Sequence, residues 1–168
     1  MITEILETER LQGGNVKLNF KRHNLIQLIK NVITDFNNQK PGIDFKPSQE
    51  ELHVKIDIEW IKIVLRNIIE NAIKFSKPES KPIQVSVIHE GSSILIKIKD
   101  DGPGIPEEEL QNVFEPFYRT DKSRSKKTGG YGLGLALCKK IMDVHEGGIK
   151  ISNNIDGGVT VVLQFTSS

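Results

Sequence analysis

The sequence predicts a two-layer α/β sandwich, one sheet covered on one face by helices, and three observations predict it. Stretches with apolar residues at helical spacing are interleaved with short segments that alternate apolar and polar side chains. Those segments fall in pairs around turn residues and read as antiparallel hairpins, which argues against a doubly wound parallel sheet. The chain has 168 residues, 37% of them hydrophobic, the size of one domain with enough apolar matter for one core.

Each element follows from its own pattern. Ile2, Ile5 and Leu6 on a charged background read as the last turns of an amphipathic helix, stopped at Gly13-Gly14. Val16, Leu18 and Phe20 alternate as a short strand, and Leu25, Leu28, Ile29, Val32 and Phe36 return at helical spacing. After the turn Lys40-Pro41-Gly42, Ile43 to Phe45 and Leu52 to Ile56 read as a hairpin around Lys46 to Glu51. Asp57 stands as N-cap to a long helix with Ile61, Leu65, Ile68, Ala72 and Phe75 on one face, ended by Ser76-Lys77-Pro78. Ile83 to Ile88 and Ile94 to Ile98 form a second hairpin through Glu90-Gly91-Ser92. From Asp101 to about Gly130 the chain holds Pro103, Pro106, Pro116 and a run of cations, and is expected to be loop apart from a short helix from Glu107 to Val113. A helix from Leu133 to His145, closed by Gly147-Gly148, precedes a last hairpin, Ile149 to Ser152 with Val159 to Phe165.

Composition excludes several functions. With 23 Lys plus Arg against 22 Asp plus Glu, the net charge of +1 leaves no bulk positive surface for nucleic acid, so any anion site is local. The single Cys138 cannot close an internal disulfide and sits in an apolar stretch. No apolar run approaches the ~18 residues of a membrane span, and Glu4, Glu7 and Glu9 are unlike a signal peptide. The expectation is a soluble cytoplasmic chain without nucleic-acid or membrane contact.

Four clusters could carry chemistry. Asn67, Asn71 and Lys74 share one helix face beside the apolar stripe. Two amide oxygens one turn apart suit a hard cation such as Mg²⁺, and the ammonium suits phosphate, although alone the trio favours a solvated polar face. Asp100, Asp101, Gly102, Pro103 and Gly104 follow a strand directly. They place a carboxylate and two small residues where a flat ligand with an exocyclic amine could lie, or they form a plain turn. Gly130-Tyr131-Gly132-Leu133-Gly134-Leu135 opens a helix, where free N–H groups face an anion; the alternative is a hinge. Phe114, Phe117 and Tyr118 with Arg119, Lys122, Arg124, Lys126 and Lys127 read as a lid over phosphates or as a solvated loop pinned by aromatics.

Taken together, in this order and at these separations, the four clusters resemble the N, G1, F and G2 boxes of the ATP-binding catalytic domain of sensor histidine kinases. The resemblance covers roughly residues 16 to 166, with Gly157-Gly158-Val159-Thr160 in the place of a last glycine motif. It implies a Bergerat-type fold, an α/β sandwich with a mixed sheet covered on one face by helices. Residues 1–14 would be the end of the second helix of a dimerisation domain plus a linker, and 15–168 the catalytic domain. It implies ATP and Mg²⁺ as ligands, adenine against Asp100, the metal on Asn71 and Asn67, and Asn67, Lys74 and Arg119 as catalytic residues. Phe75, Gly102, Gly104, Ile105, Phe117, Gly130, Gly132, Leu133, Gly134, Leu135 and Thr160 would complete the nucleotide site. Tyr131 departs from the small residue common at its position.

Related ATPases of the superfamily usually carry a glutamate where this chain has Asn67. A carboxylate can activate water and an amide cannot take up a proton at neutral pH, so the substitution argues for phosphoryl transfer over hydrolysis. The resemblance places the acceptor on a histidine of the dimerisation domain. His23, His53, His89 and His145 all lack that histidine's sequence context. The expected partners are therefore a histidine-bearing dimerisation domain and a response regulator, with this stretch monomeric and its parent a homodimer. The alternatives are a non-enzymatic nucleotide-binding module and a superfamily ATPase.

Overall fold

The computed structural model describes residues 17–115 and 134–167. Its elements are β1 (Lys21–Asn24), α1 (Leu25–Thr34), β2 (Ile43–Phe45), β3 (His53–Ile56), α2 (Ile58–Phe75), β4 (Ile83–Glu90) and β5 (Ser93–Lys99). They continue with α3 (Glu107–Leu110), α4 (Gly134–Val144), β6 (Gly148–Asn153) and β7 (Val159–Thr166). Five strands form one sheet in the order β2-β4-β5-β7-β6, and β1 pairs with β3 in a separate ribbon. Only β2 with β4 is parallel, so the sheet is mixed.

Alternation along the sheet decides where the core lies. Ile94, Ile96 and Ile98 of β5 and Leu163 and Phe165 of β7 are buried, as are Ile83 and Val85 of β4. On this face α2 lays down Ile61, Val64, Leu65, Ile68 and Ile69, and α4 adds Leu137, Cys138, Ile141 and Met142. Each such side chain contributes about 1.5–3 kcal/mol by leaving water, so the helical layer is held mainly by apolar burial. The opposite sheet face carries Ser86, Lys97, Val162 and Lys150 in one cross-strand row, and none of the four is buried.

The hairpins β4–β5 and β6–β7 have the expected partners. The expected hairpin of Ile43 to Phe45 with Leu52 to Ile56 does not form: β2 joins the main sheet beside β4, and β3 pairs with β1. Alternation fixes the face a strand buries and says nothing of its partner; here α2 intervenes and returns the chain so that β4 lies parallel to β2. The first strand is also displaced. Lys17–Phe20 is not in a strand, because the Asn19 N–H donates to Asp57 Oδ2 at 2.8 Å and Phe20 packs edge-on against His145 with centroids 5.0 Å apart. Val16 lies outside the described residues, as do residues 1–14. The helix expected from Glu107 to Val113 stops at Leu110 and continues as turns.

Asp57 and His145 join the entering chain to two helices. Asp57 is 6% exposed; its Oδ1 caps α2 by accepting from the Glu59 and Trp60 N–H groups while Oδ2 holds Asn19. The Asp57 N–H donates to His145 Nε2 at 3.0 Å, which obliges Nδ1 to carry the ring proton, and Nδ1 lies 2.8 Å from the Ile141 carbonyl. Burial pushes the His145 pKa down, against the Ile141 bond and the Asp57 charge, which both raise it. A protonated ring would set an N–H against the Asp57 amide. Because the folded-state pKa is depressed, this contribution is intact above about pH 6.5 and is lost as pH falls below it. We expect the loss of unfolding free energy between about pH 7.5 and about pH 5.5 to be larger in the wild type than in His145→Gln, measured by urea denaturation. Parallel curves would contradict the neutral ring.

Candidate functional site

The site gathers where α2 ends, α4 begins and β5 leaves the sheet. α2 turns Asn67, Asn71 and Lys74 along one face; Asn67 and Asn71 are half-buried and Lys74 is exposed. Gly134, the first residue of α4, faces Asn67, since a Cβ on it would stand 3.6 Å from Asn67 Oδ1. The amide is thus set against the end of α4 where helix N–H groups lack intrahelical partners.

Asp100 is the buried carboxylate, 8% exposed, one residue past β5. Its N–H donates to the Val159 carbonyl at 2.9 Å, continuing the β5–β7 ladder. Its Oδ1 accepts from the Val159 N–H at 3.1 Å and the Gly102 N–H at 3.0 Å. Oδ2 takes none of the hydrogen bonds found among the described residues. Burial raises the Asp100 pKa, the Gly102 and Val159 bonds pull it down and the Asp101 charge raises it again, leaving it above the usual carboxylate value.

Two glycines let backbones meet around this carboxylate. A Cβ on Gly102 would lie 2.8 Å from the Phe75 carbonyl oxygen, so the loop after Asp100 packs main chain to main chain against the last residue of α2. That contact sets the C-terminal end of α2 against the loop that leaves Asp100. Gly158, at φ +84°, passes so near the Asp100 carbonyl that a Cβ would overlap its oxygen.

The structure therefore assembles Asn67 with Gly134, and Phe75 with Asp100 and Gly102. Gly104 and Ile105 lie against Asn153, whose Oδ1 accepts from the Ile105 N–H at 2.8 Å. Leu135 is half-buried in the first turn of α4. Thr160 is set apart: it pairs with Lys99, one residue out of phase with buried Val159 and Val161, and its hydroxyl donates to Asn154 Oδ1. The β7 residue that touches the Asp100 carboxylate is Val159, through its backbone. Arg119, Phe117, Gly130, Gly132 and Leu133, with the cations Lys122 to Lys127, lie outside the described residues. Asn153 and Asn154 carry no signal in the sequence beyond their place ahead of the turn Asp156-Gly157-Gly158, and Val159 stands in the last strand and glycine motif with no role assigned to it.

A family model described as histidine kinase-, DNA gyrase B- and HSP90-like ATPase matches residues 56–167. The chain is 41% identical over 118 residues to the sensor histidine kinase YkoH of Bacillus subtilis, covering 70% of this chain and 25% of that protein. It thus spans about a quarter of that relative's length. The catalytic domain of the histidine kinase ThkA superposes with a TM-score of 0.77 at 32% identity, over 89% of this chain and 99% of that one. ThkA in complex with the response regulator protein TrrA gives a TM-score of 0.76 at 26% identity, over 98% of this chain and 47% of that one.

The close approach at Gly102 can be tested directly. Gly102→Ala must push against the Phe75 carbonyl, and we expect it to cost about 1–3 kcal/mol in urea unfolding. Wild-type stability in that variant would show that the junction is looser than described.

Proposed function

The chain belongs to the family of histidine kinase-, DNA gyrase B- and HSP90-like ATPases, as an ATP-binding catalytic domain of the sensor histidine kinase type, and we propose that it transfers the γ-phosphoryl of ATP to a histidine. The acceptor would lie on a dimerisation domain, of which residues 1–14 would be the last part and 15–168 the catalytic unit. One observation carries the nucleotide reading: a buried carboxylate with both backbone donors on one oxygen and the other oxygen left to a ligand. Oδ2 of Asp100 would accept from the exocyclic amine of adenine, with Phe75 beside the base and Gly102 giving it room.

The phosphates would run along α2 toward α4. Among the described residues no group of three or more His, Cys, Asp or Glu side chains could hold a metal ion. Asn67 and Asn71 offer neutral amide oxygens, a donor set that fits Mg²⁺ when phosphate oxygens supply the negative charge. Bound there, Mg²⁺ would neutralise phosphate charge. Lys74 and the α4 N–H groups would add to that neutralisation, and Arg119 would join them. Asn67 holds a position that a glutamate would need in order to activate water, and its amide has no site for the proton. That chemistry favours a histidine acceptor over water. His145 is committed to Asp57 and Ile141, which removes it as an acceptor.

A response regulator would take the phosphoryl group onward, in keeping with the partner of ThkA named above. This stretch would be monomeric and its parent dimeric. No helix among the described residues is long and apolar enough to cross a membrane; a reaction that draws on ATP would run on the cytoplasmic side.

Calorimetric titration with a non-hydrolysable ATP analogue and Mg²⁺ should give saturable binding, weakened about tenfold to a hundredfold in Asp100→Ala. Absence of binding by the folded wild type would reduce the site to scaffold. Because the Asp100 pKa is raised, protonation removes the acceptor at a higher pH than for an ordinary carboxyl. Affinity should therefore fall on acidification in the wild type more steeply than in Asp100→Asn, and equal slopes would contradict the assignment.

A further inference from the structure

Two adjacent asparagines hold the two ends of the loop that starts at Asp100. At the far end Asn153, the last residue of β6, bonds both ways with the main chain of Ile105: Oδ1 accepts from its N–H at 2.8 Å and Nδ2 donates to its carbonyl at 2.6 Å. A side-chain amide has the donor and acceptor of a peptide, so the side chain of Asn153 ties the end of β6 to the Ile105 main chain as a peptide group would. At the near end Asn154 Nδ2 donates to the Asp100 carbonyl at 3.2 Å and to the Gly157 carbonyl at 3.2 Å. Asn154 Oδ1 accepts from the Thr160 hydroxyl, and its own N–H reaches the Gly158 carbonyl at 2.9 Å. Asp100 is thus held by its main chain from Asn154 and Val159, and by its carboxylate from Gly102 and Val159.

We infer, on the basis of the nucleotide reading of Asp100 given above, that Asn154, with Asn153 at the other end of the loop, is a positioning residue that sets where Asp100 Oδ2 meets the amine of the base. The Asp100 peptide is the platform from which its carboxylate leaves. One oxygen of that carboxylate is fixed by backbone donors, so a tilt of the platform moves the other. The bond from Asn154 opposes that tilt, and the Thr160 hydroxyl fixes the amide of Asn154 in the orientation that presents Nδ2. Sitting on the outward side of β7, Thr160 acts on the base only through this chain of bonds.

A merely structural residue would weaken every nucleotide equally, whereas this one acts through a single hydrogen bond. Calorimetry on the full chain should compare an ATP analogue with the analogue of purine riboside triphosphate, in which hydrogen replaces the exocyclic amine. The wild type should prefer the amine-bearing nucleotide by about tenfold, the worth of one such bond. In Asn154→Ala the preference should fall to within about twofold of unity while affinity for the amine-free analogue changes by less than about twofold. Should Asn154→Ala fail to fold, Thr160→Val, which unlocks the same amide, must lower the preference, and a wild-type preference there overturns the inference. Equal losses for both nucleotides in Asn154→Ala, or a preference that survives it, overturn the inference alone. A wild type that binds both nucleotides with no preference overturns the role of Asp100 and the inference with it.

Discussion

A carboxylate kept out of water at the end of a central strand is the constraint around which this structure is arranged. Asp100 continues the inward side of β5, whose other members are isoleucines, and an ion there is costly unless donors surround it. The donors come from main chain, which requires two backbones to approach. Gly102 permits one approach and Gly158 the other. Val159 supplies an N–H because β7 is the antiparallel neighbour of β5, so the sheet order itself serves this residue. The remaining oxygen is unclaimed by those donors, and the proposed nucleotide site rests on it.

A second junction ties the entering chain to the helices that line the site. Asp57 caps α2 and holds Asn19, and His145 at the far end of α4 holds Asp57. α2 carries Asn67, Asn71 and Lys74, and α4 begins with Gly134. The chain at Asn19 and Phe20 thus touches both the start of α2, through Asp57, and the end of α4, through His145. Both helices are buried along close-packed apolar faces, and the first residue of α4 lies against Asn67, midway along α2, at the proposed phosphate end of the site.

Much of this was legible in the residues. The helical stripe from Ile61 to Phe75, its Asp57 cap and the hairpins β4–β5 and β6–β7 stand where periodicity sets them, because each is defined by local pattern and turn chemistry. The Asp100 and Asn67 clusters were visible for a different reason: each alone also reads as a turn or a solvated helix face, and only their order and separation with the other two clusters resemble the boxes of sensor histidine kinases. The pairing of β2 with β4 was not legible, since three alternating residues carry no record of their partner. The start of β1 was hidden because Asn19 and Phe20 answer to Asp57 and His145, distant in sequence. Asn153 and Asn154 stand out in no sequence pattern because their work is done on the backbone of another loop. Thr160 lies beside the residue that meets Asp100, and only strand register separates the two.

The central claim is that the site passes phosphate to a histidine and does not spend ATP on water. The most direct measurement incubates the chain with γ-labelled ATP, Mg²⁺ and the separately made histidine-bearing phosphotransfer domain of a similar sensor kinase. Label should appear on that domain as an acid-labile phosphohistidine, and the chain alone should turn ATP over negligibly. A folded, ATP-binding chain that leaves the domain unlabelled, or that hydrolyses ATP steadily by itself, would contradict the account.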